Sequence, residues 1–316
     1  MEIEKKTNTS VQQVKKPVHK RKSAKRREWE NLGAGLLYLL PALLIVGVFL
    51  FYPMMKTLYY SFHVTNASGA VINFIGFEYY RTLFESSAFR TSMKATFLFA
   101  LYTVPTTIII SLFLAVITNE KVKGVPFFRV VFSSTLGISV AAGATIWLLL
   151  FHPSLGVLNN MLNAFGLSGV QWLTSPNVAL ISVAITTIWM NIGFNFIVLL
   201  GGLQNISEEL YESAKIDGAG YWRQLFNITI PLLSPTLFFV SVVTIINSFQ
   251  TFGQVDILTG GGPANSTNLI VYSIFREAFY NGYFGYASAQ AIILFVLVLI
   301  FTYIQFKVGE KKVHYQ

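Results

Sequence analysis

Residues Glu212 to Pro235 read ESAKIDGAGYWRQLFNITIPLLSP. Glu212, Lys215, Asp217 and Arg223, with Glu209 just ahead, lie between two long apolar runs. The whole chain carries only 12% charged residues, against roughly 25% in an ordinary soluble domain. With 53% hydrophobic residues over 316 positions and a mean hydropathy of +0.57, this composition is that of a membrane protein. Cysteine is absent, so no disulfide framework or thiolate metal site is available, and the four His are too scattered for a metal cluster. The formal net charge of +9 does not point to nucleic acid, because the positive charge gathers in the first 27 residues, Lys5 through Arg27. Beside a hydrophobic span such a tail is a cytoplasmic retention signal.

A transmembrane helix needs about 20 mainly apolar residues. Six runs meet that length: Leu32 to Met54, Ala95 to Thr118, Val130 to Phe151, Val178 to Leu203, Pro231 to Phe252 and Ala287 to Phe306. The first is too long for a signal-peptide core and no small-residue cleavage site follows it, so it is expected to stay in the mature protein. Placing both termini inside puts 18 of the 23 Lys and Arg on the inner side, with Lys56, Arg81, Arg90, Lys94 and Arg276 outside. That asymmetry predicts cytoplasmic termini. The expected fold is therefore an all-α membrane protein of six transmembrane helices in the plasma membrane. Residues 1–31 form a basic tail of disordered composition, 32–308 the six-helix domain, and 309–316 a short cytoplasmic tail. The loop His152 to Asn177 has no Lys or Arg and mixes turn residues with an amphipathic stretch, as expected of a short element on the outer surface.

By this topology the opening stretch belongs to a cytoplasmic loop, residues 204–230. Ser207 and the acidic pair Glu208 and Glu209 predict a helix start, Asp217-Gly218 its end, and Tyr221 the start of a return helix. On the residues alone two readings stand, a solvated interhelical loop and a knob that inserts into a groove of a partner protein.

These residues resemble the EAA loop of permease subunits of bacterial ATP-binding cassette importers, in which E-A-A is followed after three residues by G and after nine more by I-x-L-P. Here Glu212-Ser213-Ala214, Gly218 and Ile228-Thr229-Ile230-Pro231 keep that spacing, with Ser213 for Ala and Ile230 for Leu. The segment Leu258 to Phe295, beginning LTGGGPANSTN, is similar to that of carbohydrate permeases of the maltose and glycerol-phosphate uptake class, and PALLIVGVFLFYP of the first span fits as well. The likeness runs from about Gly33 to Lys307. It implies an importer-type permease core that moves a sugar, oligosaccharide or sugar derivative by alternating access. It further implies a coupling helix, with Glu212, Ser213, Ala214, Asp217 and Gly218 docking into a cytoplasmic ATPase. On this reading Gly218 permits a left-handed backbone and Ala214 keeps the surface thin.

The implied partners are a second homologous permease in a heterodimer, an ATPase dimer holding ATP and Mg, an external solute-binding protein and membrane lipid, with no nucleic acid. No G-x-x-x-x-G-K-[ST] occurs, so the chain is expected not to hydrolyse ATP itself; the resemblance implies a transport subunit rather than an enzyme, with no cofactor bound directly. The run Gly260-Gly261-Gly262-Pro263 reads as a tight outer turn, to which the resemblance adds contact with the binding protein.

Amide side chains within the spans supply candidate solute contacts. Asn191 and Asn195 share a face at i and i+4, and Asn247, Gln250 and Gln254 share one at spacings of three and four. Uncharged hydrogen-bonding groups suit a neutral hydroxyl-rich solute, while interhelical hydrogen bonding is the plainer use for the same groups. No ionisable side chain falls within the six runs, which argues against an ion-coupled secondary transporter. A membrane-embedded enzyme ranks last, since no paired carboxylates or His cluster lie near a membrane face.

Overall fold

A computed structural model describes residues 35, 37–120 and 122–309. The basic tail and the residues after Gly309 lie outside the described part. The chain divides after Met55 into two units, Met1–Met55 and Lys56–Gln316.

The first unit contributes most of α1, Leu37–Tyr60, with a π turn at Gly47–Phe51. Its apolar side chains, Leu43, Phe49 and Phe51 among them, are exposed. An all-round apolar helix of this length matches a hydrocarbon solvent. The expected end at Met54 is corrected to Tyr60, since one lysine, Lys56, does not interrupt helical hydrogen bonding.

In the second unit a hairpin, β1 (His63–Thr65) and β2 (Val71–Phe74), pairs antiparallel. The fold is thus mostly helical rather than strictly all-α. The hairpin turn is built on Asn66, whose Oδ1 accepts hydrogen bonds from Ser68 N, Ser68 Oγ and Ala70 N. The helices that follow are α2 (Glu78–Glu85), α3 (Ser87–Thr118), α4 (Val125–Gly137), α5 (Val140–Leu150), α6 (Val157–Ala164) and α7 (Ala179–Gln204). After them come α8 (Glu208–Ile216), α9 (Tyr221–Leu232), α10 (Ser234–Phe249), α11 (Gly253–Leu258), α12 (Ile270–Phe275) and α13 (Phe284–Gly309).

Among the described residues, four helices are long and apolar enough to cross a membrane: α1, α3, α7 and α13. The expected third and fifth spans are broken. α4 and α5 meet at 105° and α9 and α10 at 67°, so the count is six only if each bent pair is one span. Both breaks have local causes. At the first, Gly137 ends a 3-10 turn, Ile138 and Ser139 are extended, and Ser139 Oγ accepts from Ala142 N as a new N-cap. At the second, Pro231 and Pro235 each remove an N–H, and the ladder ahead of Pro231 loosens into a π turn at Leu225–Thr229.

α7 is the central element. Half of its apolar window is buried, against 22% for α3 and 33% for α13. It packs against α3 along a stripe of small side chains, Thr103, Thr107, Ser111 and Ala115, each buried and four residues from the next. Such a stripe lets two backbones approach closely where the hydrophobic effect does not drive association. One apolar cluster surrounds Phe99, Phe151, Val183, Val255 and Leu269. A second, at the other end of α7, joins Phe196, Leu199, Leu203, Ile206, Leu233 and Val240. The second cluster floors the loop that carries Glu212.

Candidate functional site: the 204–233 loop and the amide-lined helices

Ser207 caps α8, its Oγ accepting from Glu209 N at 3.3 Å. Glu208 and Glu209 in the first turn and Lys215 in the last complement the helix dipole. The helix closes in a Schellman turn: Gly218 N donates to Lys215 O at 3.1 Å and Ala219 N to Ala214 O at 2.8 Å. That turn requires a left-handed residue, and Gly218 supplies φ +77 with open space around the position of a Cβ. Gln224 Nε2 then donates to Ala219 O at 2.7 Å and fixes the start of α9.

Glu212, Ser213, Asp217 and Gly218 are exposed, while Ala214 is half-buried. Ala214 contributes its carbonyl to the closing turn. Tyr211 packs into the second apolar cluster. Its hydroxyl pairs with Thr229 Oγ1 at 3.0 Å, tying α8 to α9. Ile216 is 87% exposed, and Trp222 stacks on Phe226 in the open. A surface rich in free aromatic and aliphatic area beside carboxylates is suited to a protein partner.

Beside α8 opens a cavity of about 810 Å³ whose charged lining is Glu120, Arg129, Glu208, Glu212 and Lys215. Arg129 Nε and Nη2 both donate to Thr118 O, at 2.9 and 2.6 Å. This guanidinium caps the C-terminal end of α3 from α4, where a cation also meets the negative end of the helix dipole. Sequence reasoning counted Arg129 only as a topology charge. Its signal was a cation inside the otherwise apolar VPFFRVVF, a stretch separated by six residues from the end of a long apolar run.

The amide candidates separate into two kinds. α7 and α10 run antiparallel: Gly202 abuts Thr236, Asn195 Oδ1 accepts from Thr244 Oγ1 at 2.9 Å, and Met190 lies against Gln254. Asn195 is buried, and its Nδ2 donates to Asn191 O at 2.9 Å. Both ends of that amide are engaged, its oxygen across to α10 and its nitrogen back onto α7 itself. Asn247 and Gln250 are exposed and Asn191 is half-buried. The antiparallel register brings Asn191 to the level of Asn247 and Gln250. The expected common face of Asn247, Gln250 and Gln254 is corrected, because α10 ends at Phe249 and Gln254 lies on α11, buried against Met190.

The glycine run folds into a compact turn with Gly260 at φ +55 and Gly261 at φ +80. A Cβ on Gly261 would stand 2.8 Å from Tyr272 Cε1. Thr267 Oγ1 donates to Gly262 O at 2.7 Å, and the irregular segment that follows is pinned to α3 by Asn268 Nδ2 donating to Ser92 Oγ and Ile270 N to Thr96 Oγ1. Gly260 is exposed, Gly261 is buried, and Gly262 and Pro263 are half-buried. In the loop after α5, Asn159 is the organiser: its amide donates to Pro153 O and Val170 O and accepts from Val170 N and Trp172 Nε1.

Residues 89–315 match the family described as binding-protein-dependent transport system inner membrane component. The chain is 35% identical over 285 residues to the sn-glycerol-3-phosphate transport system permease protein UgpA of Agrobacterium fabrum (strain C58 / ATCC 33970), covering 89% of this chain and 96% of the relative. It is likewise 35% identical over 283 residues to UgpA of Yersinia pestis bv. Antiqua (strain Antiqua), covering 89% and 95%. A crystal structure of a bacterial ABC transporter involved in the import of the acidic polysaccharide alginate superposes with a TM-score of 0.78 at 27% identity, over 90% of this chain and 99% of that one. The alginate transporter in complex with an alginate pentasaccharide-bound periplasmic protein gives 0.77 at 26% identity, over 90% and 98%. The chain therefore belongs to the binding-protein-dependent inner membrane components, as a multi-pass permease subunit of a bacterial ATP-binding cassette importer and not an enzyme.

Proposed function

We propose that the chain crosses the membrane six times with both termini in the cytoplasm, each bent pair counting as one span. Residues 1–31 are a basic cytoplasmic tail, 32–308 the permease domain and 309–316 a short tail. The loop 204–230 is the coupling helix, through which Glu212, Ser213, Ala214, Asp217 and Gly218 engage an ATPase dimer that binds ATP and Mg. The observation that carries this reading is the exposed α8, closed by a glycine Schellman turn and braced to α9 through Tyr211 and Thr229. It is a braced projection on which Glu212 and Ile216 are exposed. Rigidity matters because a projecting element transmits motion only if it moves as one body with the helices behind it.

The solute is a sugar, oligosaccharide or sugar derivative. Relatives named for sn-glycerol-3-phosphate and a structural neighbour named for alginate support that class. Asn191, Asn247 and Gln250 line the solute pathway at one level of the bundle, and Asn195 holds α7 and α10 in register behind them. Turn Gly260, Gly261, Gly262 and Pro263 faces an external binding protein; the neighbour's complex with a periplasmic protein supports the existence of such a partner. A second homologous permease completes a heterodimer around the pathway.

Purification of the tagged chain from its native membrane in gentle detergent tests the assembly. The expected result is recovery of an ATPase, a second permease and a binding protein, whose ligand then names the solute. A chain that comes out alone and transports solute in vesicles without ATP refutes the coupling assignment.

A further inference from the structure

The two broken spans rest on opposite faces of one helix, and in both places the contact is made through a glycine. At Gly193 of α7 a Cβ would stand 2.5 Å from Thr135 Oγ1, 2.9 Å from Leu136 N and 3.1 Å from Ser133 O. These atoms belong to the last turn of α4, immediately before the 105° break. Gly193 N also donates to Thr135 Oγ1 at 3.0 Å. At Gly202 a Cβ would stand 2.6 Å from Thr236 Oγ1, 2.7 Å from Leu233 Cδ1 and 2.9 Å from Thr236 Cγ2, and Leu233 is the residue at the 67° break. Real Cβ atoms essentially never show separations under 3.0 Å. The neighbouring Gly201, by contrast, has nothing within 4 Å of such a Cβ. Nine residues separate Gly193 from Gly202, about two and a half turns and roughly 13.5 Å along the axis, so the two notches point to opposite sides.

α7 is also continuous with the projecting loop. Only Asn205, Ile206 and Ser207 separate it from α8, and Ile206 is buried in the same apolar cluster as Leu203 and Leu233. A displacement of α8 is thereby handed to α7 through packed side chains rather than through a slack linker.

We propose that Gly193 and Gly202 are positioning residues for transport: each is a notch that seats one broken span, so that α7 carries movement of the coupling helix to both breaks at once. The two notches let the bent spans sit close enough to follow α7. A side chain at either one pushes its span away and uncouples it. The proposal rests on the coupling role given to α8, and its test separates the two.

The whole importer, recovered from the native membrane and placed in lipid nanodiscs, is the sample. The chain has no cysteine, so nitroxide pairs are introduced in it at exposed positions flanking each break, Val130 with Leu149 and Phe226 with Phe239. Pulsed electron paramagnetic resonance then gives the two distances without nucleotide and with ATP plus orthovanadate. In the unaltered importer both distances shift together on adding nucleotide. Gly202→Ala loses the shift at the α9–α10 break while ATP hydrolysis persists, and Gly201→Ala, one residue away, keeps it.

All three close atoms at Gly202 belong to side chains. The pair Gly202→Ala/Thr236→Ala removes two of them and lets Leu233 rotate, and it is expected to recover the shift. Two of the three at Gly193 are backbone, so Gly193→Ala loses the shift at the α4–α5 break and Thr135→Ala does not rescue it. If Gly202→Ala fails to assemble, the double variant decides: a recovered shift upholds the notch and its absence overturns it. Shifts of normal size in both single variants overturn this proposal alone. Distances that ignore nucleotide in the unaltered importer overturn the coupling reading and this proposal with it.

Discussion

Replacing Gly218 by Asn, Ala and Val tests whether the coupling turn is set by backbone conformation or by the fit of a partner against it. Gly218 has φ +77 and nothing within 4 Å of a built Cβ, so within this chain the penalty of a side chain there is conformational rather than steric. A left-handed L-residue costs roughly 1–2 kcal/mol, Asn least because its short amide bonds locally, and β-branched Val most. Two hydrogen bonds close the turn, Gly218 N to Lys215 O and Ala219 N to Ala214 O. A penalty of about 1 kcal/mol shifts the closed-to-open ratio about fivefold, and one near 2 kcal/mol about thirtyfold. The assay is uptake, in proteoliposomes holding the purified importer, of whatever solute the co-purified binding protein carries, with membrane content checked by immunoblot. The expected order is Gly, then Asn, then Ala, then Val, with Val almost inactive yet fully inserted. An order set by size, with Ala better than Asn, would refute the backbone argument and place the constraint in a tight partner cleft. Normal uptake by all three would remove Gly218 from coupling altogether.

Four further outcomes follow from the same geometry. Glu212→Lys reverses a charge on the exposed face of α8 and is expected to abolish uptake with the chain still in the membrane; normal uptake measured by the same assay would count against the docking role. Tyr211→Phe removes the hydroxyl that pairs with Thr229 at 3.0 Å, which should lower the thermal stability of the purified complex by about 1 kcal/mol, read as a lower unfolding midpoint. Arg129→Ala deletes a two-pronged, charge-assisted bond to Thr118 O, expected to cost about 1.5–3 kcal/mol by the same measurement, with Lys recovering only part. Asn247→Ala and Gln250→Ala should change apparent solute affinity at unchanged stability, whereas Asn195→Ala strips Thr244 of its interhelical acceptor and should lower stability first; equal effects on affinity from all three would erase that distinction.

How much was legible in the residues depended on whether the cause was local. α8 and its turn could be read because each determinant, Ser207, the acidic pair and Gly218, acts on its own few neighbours along the chain. Length and apolarity likewise marked α1, α3, α7 and α13. The bends in α4–α5 and α9–α10 stayed hidden behind the same hydropathy, because a membrane helix can tolerate Pro and Gly when neighbours satisfy the freed groups, and those neighbours lie far away in sequence. The break before Ser139 is seated by Gly193 and the one at Leu233 by Gly202, separations that no window of hydropathy spans. The shared face expected of Asn247, Gln250 and Gln254 was lost for a related reason. Their helical spacing assumed that α10 runs on to Gln254, but the helix stops at Phe249. An amide at one level of a bundle binds solute or glues helices according to which helix runs beside it. Asn195 has Thr244 opposite and is used up. Asn191, on the same helix but one turn away, stands level with Asn247 and Gln250, whose side chains remain exposed. The assignment of these groups is therefore a property of the α7–α10 register, and that register is held by Gly202 against Thr236.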